Sequence, residues 1–194
     1  MKFYLGSGSS IDKLKKLYKK AISKTKNKSV YIIDLATDNL EKQNKTQRKL
    51  TEIFDKFEIN FASQDKYNNQ GIVFLVWGDT ELLLKNIKKK KLLPVIKKAD
   101  VVLSLSAGTL ALCKETILTK DEDIPETKIV KGLGLIHFAI EVHYTEAVDK
   151  DLIELSKKRD IFAIPDDSTI VYDGKIKCLG KVYKFSKGKK NIYI

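Results

Sequence analysis

A serine attacks a carbonyl only when a neighbouring base takes its proton, and this chain of 194 residues offers two histidines for the task, His137 and His143. The serine that stands out is Ser106, in VVLSLSAGTLAL (101–112). There a β-branched, apolar run passes through Ser-Ala-Gly into helix formers. Ser104-Leu105-Ser106-Ala107-Gly108 approximates Gly-x-Ser-x-Gly, the tight strand-to-helix turn whose small neighbours let a serine stand exposed. The plain alternative is that Ser106 caps the helix with its hydroxyl. On the elbow reading, the Ala107 amide is one donor to a developing oxyanion. The Gly78 amide, in Trp77-Gly78-Asp79-Thr80 at the end of another apolar run, could be the second.

His143 closes the strand-like FAIEVH, and a strand end is where a reacting group belongs. His137 lies within the alternation GLGLIHFAI and reads as a packed or surface histidine. Asp121, Glu122 and Asp123, in the polar loop between serine and histidine, could orient the imidazole. Cys113 and Cys178 lie far apart and make neither a metal-ligand spacing nor a disulfide framework. No metal or organic cofactor is expected.

Positioning these groups requires a sheet. KFYL (2–5), SVYIIDL (29–35), EINFAS (58–63), GIVFLVWGDT (71–80) and VVLSL (101–105) read as strands. Between them lie helical patterns at 10–24 (capped by Ser9 or Ser10), 39–57 and 81–99, the last broken near Pro94. Further expectations are a helix over 106–118, a loop over 119–128, strand-like alternation over 132–144 and a helix over 146–159. A short strand over 161–167 precedes an antiparallel tail that turns at Tyr172-Asp173-Gly174-Lys175. Strands alternating with helices predict one three-layer αβα domain, residues 1–194, with a mostly parallel sheet and antiparallel C-terminal strands. Ligands of such sheets bind at the carboxyl ends of strands, where both the Gly78 and Ser106 turns fall.

The formal net charge is +12, yet the only arginines are Arg48 and Arg159. Nucleic-acid readers lean on arginine for bidentate contacts, so this lysine-rich balance argues against a nucleic-acid partner. The run KNIKKKK (85–91) reads as a solvated helix face. No apolar run reaches the roughly 18 residues of a membrane span, and the first residues lack the apolar core of a signal peptide. The expectation is a cytoplasmic protein with no membrane partner. Exposed tail strands would allow a homodimer, although the sequence does not set the oligomeric state.

Four segments together, FLVWGDTELLLK, SLSAGTLAL, DIPETKIVKGLGLIHFAIEVHY and IFAIPDDSTIVYDGKIKCLGKVYKF, resemble the serine peptidases related to aspartyl dipeptidase (dipeptidase E) and cyanophycinase. The resemblance runs from about residue 70 to residue 186, with the motifs in family order. It implies a class I glutamine amidotransferase-like (flavodoxin-like) fold and a small peptide substrate, with aspartyl or isoaspartyl bonds favoured. It also implies Ser106 as nucleophile, His143 before Tyr144 as base, and Gly78 and Ala107 as oxyanion donors. For the third member, Asp123 matches the local acid-before-proline motif and Asp121 matches the distance from the serine. Two departures stand out: Val76 and Trp77 replace a glycine run before Gly78, and Ser104 replaces a glycine in the elbow. They motivate an alternative, a catalytically weakened relative that binds a small molecule or partner.

Overall fold

The computed structural model describes residues 1–8, 11–23, 29–64, 71–120 and 124–193 and, within the first helix, only some side chains. The expected alternation holds through β5: β1 (Lys2–Gly6), α1 (Ile11–Ile22), β2 (Ser29–Ile33), α2 (Leu40–Ile53), β3 (Glu58–Phe61), β4 (Ile72–Leu75), α3 (Thr80–Lys89), α4 (Leu93–Lys98) and β5 (Val101–Leu105). Pro94 falls in the first turn of α4, where its missing N–H costs nothing. The Ser9 and Ser10 caps lie outside the described residues. Of the apolar face expected on α1, Tyr18 is buried, and the side chains of Ile11, Leu14, Leu17 and Ile22 are not described.

Beyond β5 come α5 (Ala107–Leu112), β6 (Glu115–Leu118), β7 (Lys128–Lys131), β8 (Ala139–Val142), α6 (Asp149–Leu155), β9 (Ile161–Ile164), β10 (Thr169–Tyr172), β11 (Ile176–Leu179), β12 (Val182–Ser186) and β13 (Lys189–Tyr193). Three expectations are corrected here. The helix after Ser106 ends at Leu112, because Cys113 turns extended and bridges to Ile136, and β-branched Thr116 and Ile117 then pair with β7. The strand-like region 132–144 narrows to β8. The strands also form three sheets instead of one.

The largest sheet runs β11-β10-β1-β5-β4-β2-β3. Its β1, β5, β4, β2 and β3 are parallel, and β10 and β11 add an antiparallel edge. From β1 to β3 the chain steps toward one edge of the sheet; from β3 to β5 it steps back. Right-handed crossovers taken in opposite directions place helices on both faces. Accordingly α1 packs on α2, and α3 packs on α5. Every residue of β2, β4 and β5 is buried, as a strand covered on both sides requires.

The second sheet runs β13-β12-β9-β8, with β8 and β9 parallel. Side chains along a strand alternate between its faces. Ile140, Val142, Phe162 and Ile164 therefore join the main core. Ala139, Ile161 and Ala163 face a smaller core with Leu152 of α6 and Phe185. Burying one face of β8 and β9 against the main core holds their carboxyl ends beside those of β1 and β5. Among the described residues no helix is long and apolar enough to cross a membrane.

Candidate active site

Ser106 follows β5 with φ 49° and ψ −116°, a left-handed conformation that a non-glycine residue seldom adopts. Its backbone is tied down on both sides. The N–H donates to Gly6 O (3.1 Å) and Ser7 O (3.0 Å), and the carbonyl accepts from the N–H groups of Thr109 (2.8 Å) and Leu110 (3.0 Å). The hydroxyl makes no capping bond to the helix. It lies instead 2.9 Å from His143 Nε2. The simple-cap alternative therefore gives way to a serine held toward an imidazole.

Gly108 explains the small residue two positions on. A Cβ there would sit 2.3 Å from Leu75 O, so only glycine lets α5 start this close to β4. Ser104, where the related motif has glycine, carries no positive φ, and its side chain is fully buried. Its hydroxyl lies 3.2 Å from Tyr4 O and 2.9 Å from Thr109 Oγ1, and Thr109 in turn donates to Gly6 O at 2.7 Å. The extra hydroxyl is thus absorbed into a bonded chain beneath the elbow.

His143 also has positive φ, 53°. Its Nδ1 lies 2.7 Å from Asp166 Oδ1. A carboxylate at Nδ1 fixes the tautomer with that nitrogen protonated, so Nε2 presents its lone pair to Ser106. The next residue, Tyr144, is buried; its N–H donates to Ile164 O (3.2 Å) and its hydroxyl donates to Asp149 (2.5 Å). Burial and the bond to Asp149 push the Tyr144 phenol up to about 12, so it remains a neutral donor. It pins the strand end that carries the imidazole to the start of α6.

The acid on this imidazole is Asp166, two residues beyond β9 and absent from the candidates drawn from the sequence. Asp121 and Asp123 lie outside the described residues. Asp166 carried a signal of its own: the Pro-Asp-Asp run ends a short apolar strand, the same strand-end logic that picked out His143. Val142 and Ile164 are paired in register on parallel β8 and β9, so the residues that follow them arrive side by side.

Gly78 has φ 134°, and a Cβ on it would meet Ala36 O at 2.6 Å. Asp79 donates its N–H to Ala36 O and caps α3 by accepting from the Leu82 N–H at 2.8 Å, a loop-holding role. Gly78, Thr80, Leu118, Lys120 and Glu141 help line a cavity of ≈ 340 Å³ that contains Ser106 and His143. A second cavity of ≈ 640 Å³ shares Gly78, Thr80, Leu118 and Ile124 with the first and extends to Lys42 and Lys128. Trp77 is half-buried against the main core and is not among the described residues lining either cavity. His137, exposed and in contact with Tyr172, lines a separate hollow at the opposite ends of β8 and β9, in keeping with a surface histidine. Cys113 is fully buried, and burial pushes its thiol up to about 12, which leaves it inert. Among the described residues no cluster suits a metal ion.

The family model for peptidase family S51 matches residues 5–178 of the chain. No curated protein matches. Among solved structures, a peptidase from an acI-B1 Actinobacterium superposes with a TM-score of 0.77 at 14% identity, covering 99% of this chain and 93% of that one. A putative peptidase E protein from Listeria monocytogenes EGD-e superposes with a TM-score of 0.64 at 14% identity, covering 92% and 97%. At that identity the two structures speak for the shared mixed α/β fold with its mostly parallel central sheet, and the family match extends well upstream of residue 70, where the four motifs begin. The chain belongs to peptidase family S51.

Proposed function

We propose that this peptidase cleaves short peptides through an acyl-enzyme on Ser106, with His143 as base and Asp166 as the acid that orients it. The observation that carries this reading is the unbroken line from Ser106 Oγ to His143 Nε2 (2.9 Å) and from His143 Nδ1 to Asp166 Oδ1 (2.7 Å). Positive φ at both Ser106 and His143 adds support, because such strain persists where the surroundings hold a site in place.

In the first step Nε2 accepts the Ser106 proton as Oγ bonds to the scissile carbonyl carbon. The oxygen takes the negative charge and is met by the amides of Ala107 and Gly78. A donor of this kind contributes about 3 kcal/mol to the transition state. Asp166 stabilises the imidazolium. The imidazolium then protonates the leaving amine as the C–N bond breaks. Water, losing a proton to the same nitrogen, releases the acid product and restores the serine.

The cavity of ≈ 340 Å³ suits a dipeptide-sized ligand. Lys120 is the one lysine or arginine among its described lining residues, and it would meet an acidic side chain. Buried Glu141, whose carboxylate accepts from Thr119 Oγ1, would face a substrate ammonium. An aspartyl or isoaspartyl peptide with a free amino end combines both features. A fluorophosphonate tests the nucleophile: labelling of wild-type protein should map to Ser106 and fall sharply in His143→Ala. Labelling that maps elsewhere would remove the assignment.

A further inference from the structure

The turn at the carboxyl end of β1, Gly6-Ser7-Gly8, touches all three groups of the proposed line. The Ser7 carbonyl accepts the Ser106 N–H at 3.0 Å. The Ser7 hydroxyl accepts the His143 backbone N–H at 2.5 Å and donates to Asp166 Oδ1 at 3.2 Å. The oxygen of Asp166 that receives Ser7 is the one that faces His143 Nδ1. Ser7 is fully buried, so no solvent competes for its one hydroxyl. The side chains of the two residues it joins are open, that of His143 51% exposed and that of Asp166 63%. Their own packing restrains them weakly. Gly8 closes the other side, where an added Cβ would lie 2.5 Å from Asp166 Oδ1 and 2.8 Å from His143 Cε1, and its carbonyl accepts the Asp167 N–H at 2.6 Å.

We infer that Ser7 is a positioning residue of the peptidase site, whose hydroxyl locks the His143 backbone and the Asp166 carboxylate into one unit. The inference rests on the assignment of Ser106, His143 and Asp166 made above. Base and acid stand at the ends of two strands in one sheet, and the nucleophile stands on another. Ser7 is a buried polar link between them. An orienting group of this kind acts on the chemical step and leaves ground-state binding alone.

The test is the inactivation of Ser106 by a fluorophosphonate, resolved into its maximal rate and its half-saturating concentration, with thermal melting as the control for folding. Ser7→Ala should lower the maximal rate by about tenfold to a hundredfold, the lower part of what a general base contributes. The half-saturating concentration should stay near the wild-type value, and Ser7→Thr, which keeps the hydroxyl, should recover most of the rate. If Ser7→Ala does not fold, Ser7→Cys decides, since it keeps the volume and weakens both bonds; it should still lose about tenfold. A folded Ser7→Ala or Ser7→Cys that reacts at the wild-type rate overturns the inference while leaving the nucleophile assignment intact. Failure of the wild-type protein to react at Ser106 removes that assignment and the inference with it.

Discussion

Ser106 Oγ and His143 Nε2 lie 2.9 Å apart across a boundary between two sheets. Ser106 follows β5 in the seven-stranded sheet, and His143 follows β8 in the four-stranded one. Neither sheet alone assembles the pair. The shared core beneath β8 and β9, with Ile140, Val142, Phe162 and Ile164 packed on the main cluster, sets the distance.

The acid should be identifiable by replacement. Asp166→Asn removes the charge that fixes the imidazole and should lower kcat by about 10²- to 10⁴-fold with little change in KM. Asp121→Asn and Asp123→Asn should stay within a few fold of wild type. Steady-state kinetics on one peptide substrate separates the three; a large loss in Asp123→Asn with Asp166→Asn unaffected would reverse the assignment.

The geometry around the site was partly legible in the sequence, and the part that was not has a physical cause. Ser106 and His143 announce themselves because each ends an apolar run where a parallel sheet presents ligands. Asp121, Glu122 and Asp123, the carboxylates the sequence offers for the imidazole, stand in the loop between them and lie outside the described residues, and proximity along the chain does not decide which side chains meet in a parallel sheet. The pairing of β8 with β9 brings Asp166 from beyond α6 to the imidazole. The second sheet was hidden for a similar reason. β8 and β9 are buried on both faces, so their pattern tells a strand without telling which sheet owns it. The short helix α5 was overextended because Leu110, Ala111 and Leu112 are good helix formers, and the tertiary pairing of Cys113 and β6 overrides that preference.

Ser104 should be stabilising despite replacing a glycine of the related elbow. Ser104→Gly loses the bond to Thr109 and adds chain entropy to the unfolded state, for a cost of about 1–2 kcal/mol. Chemical denaturation should show a lower midpoint for the variant. A more stable variant would mean that Ser104 strains the turn.

Tyr18 presents the reverse case. Its ring packs between Phe54 and Phe74, and its buried hydroxyl has no hydrogen-bond partner among the described residues. Burial also pushes the phenol well above its ordinary range. Tyr18→Phe should raise stability by about 1 kcal/mol or more, because it removes an unpaired polar group and keeps the ring. Loss of stability would reveal a partner for the hydroxyl.

Asp160 links stability to acid. Hydrogen bonds from Lys184 and Ser186 hold its carboxyl below the usual carboxylate range. A depressed folded value contributes stability above the ordinary unfolded value and loses it as pH falls through the folded one. Asp160→Asn should therefore lower Tm near neutral pH by no more than about 2 °C, the scale of an exposed pair. The difference should vanish in strong acid. A difference that grew on acidification would contradict the sign.

The most direct test of the central claim is cleavage itself. A library of dipeptides and isopeptides that includes aspartyl and isoaspartyl members, incubated with wild-type protein and with Ser106→Ala and read by mass spectrometry, should show cleavage that depends on Ser106 and is concentrated on acidic members. Cleavage that survives unchanged in Ser106→Ala, with both proteins folded, would contradict a mechanism through this serine.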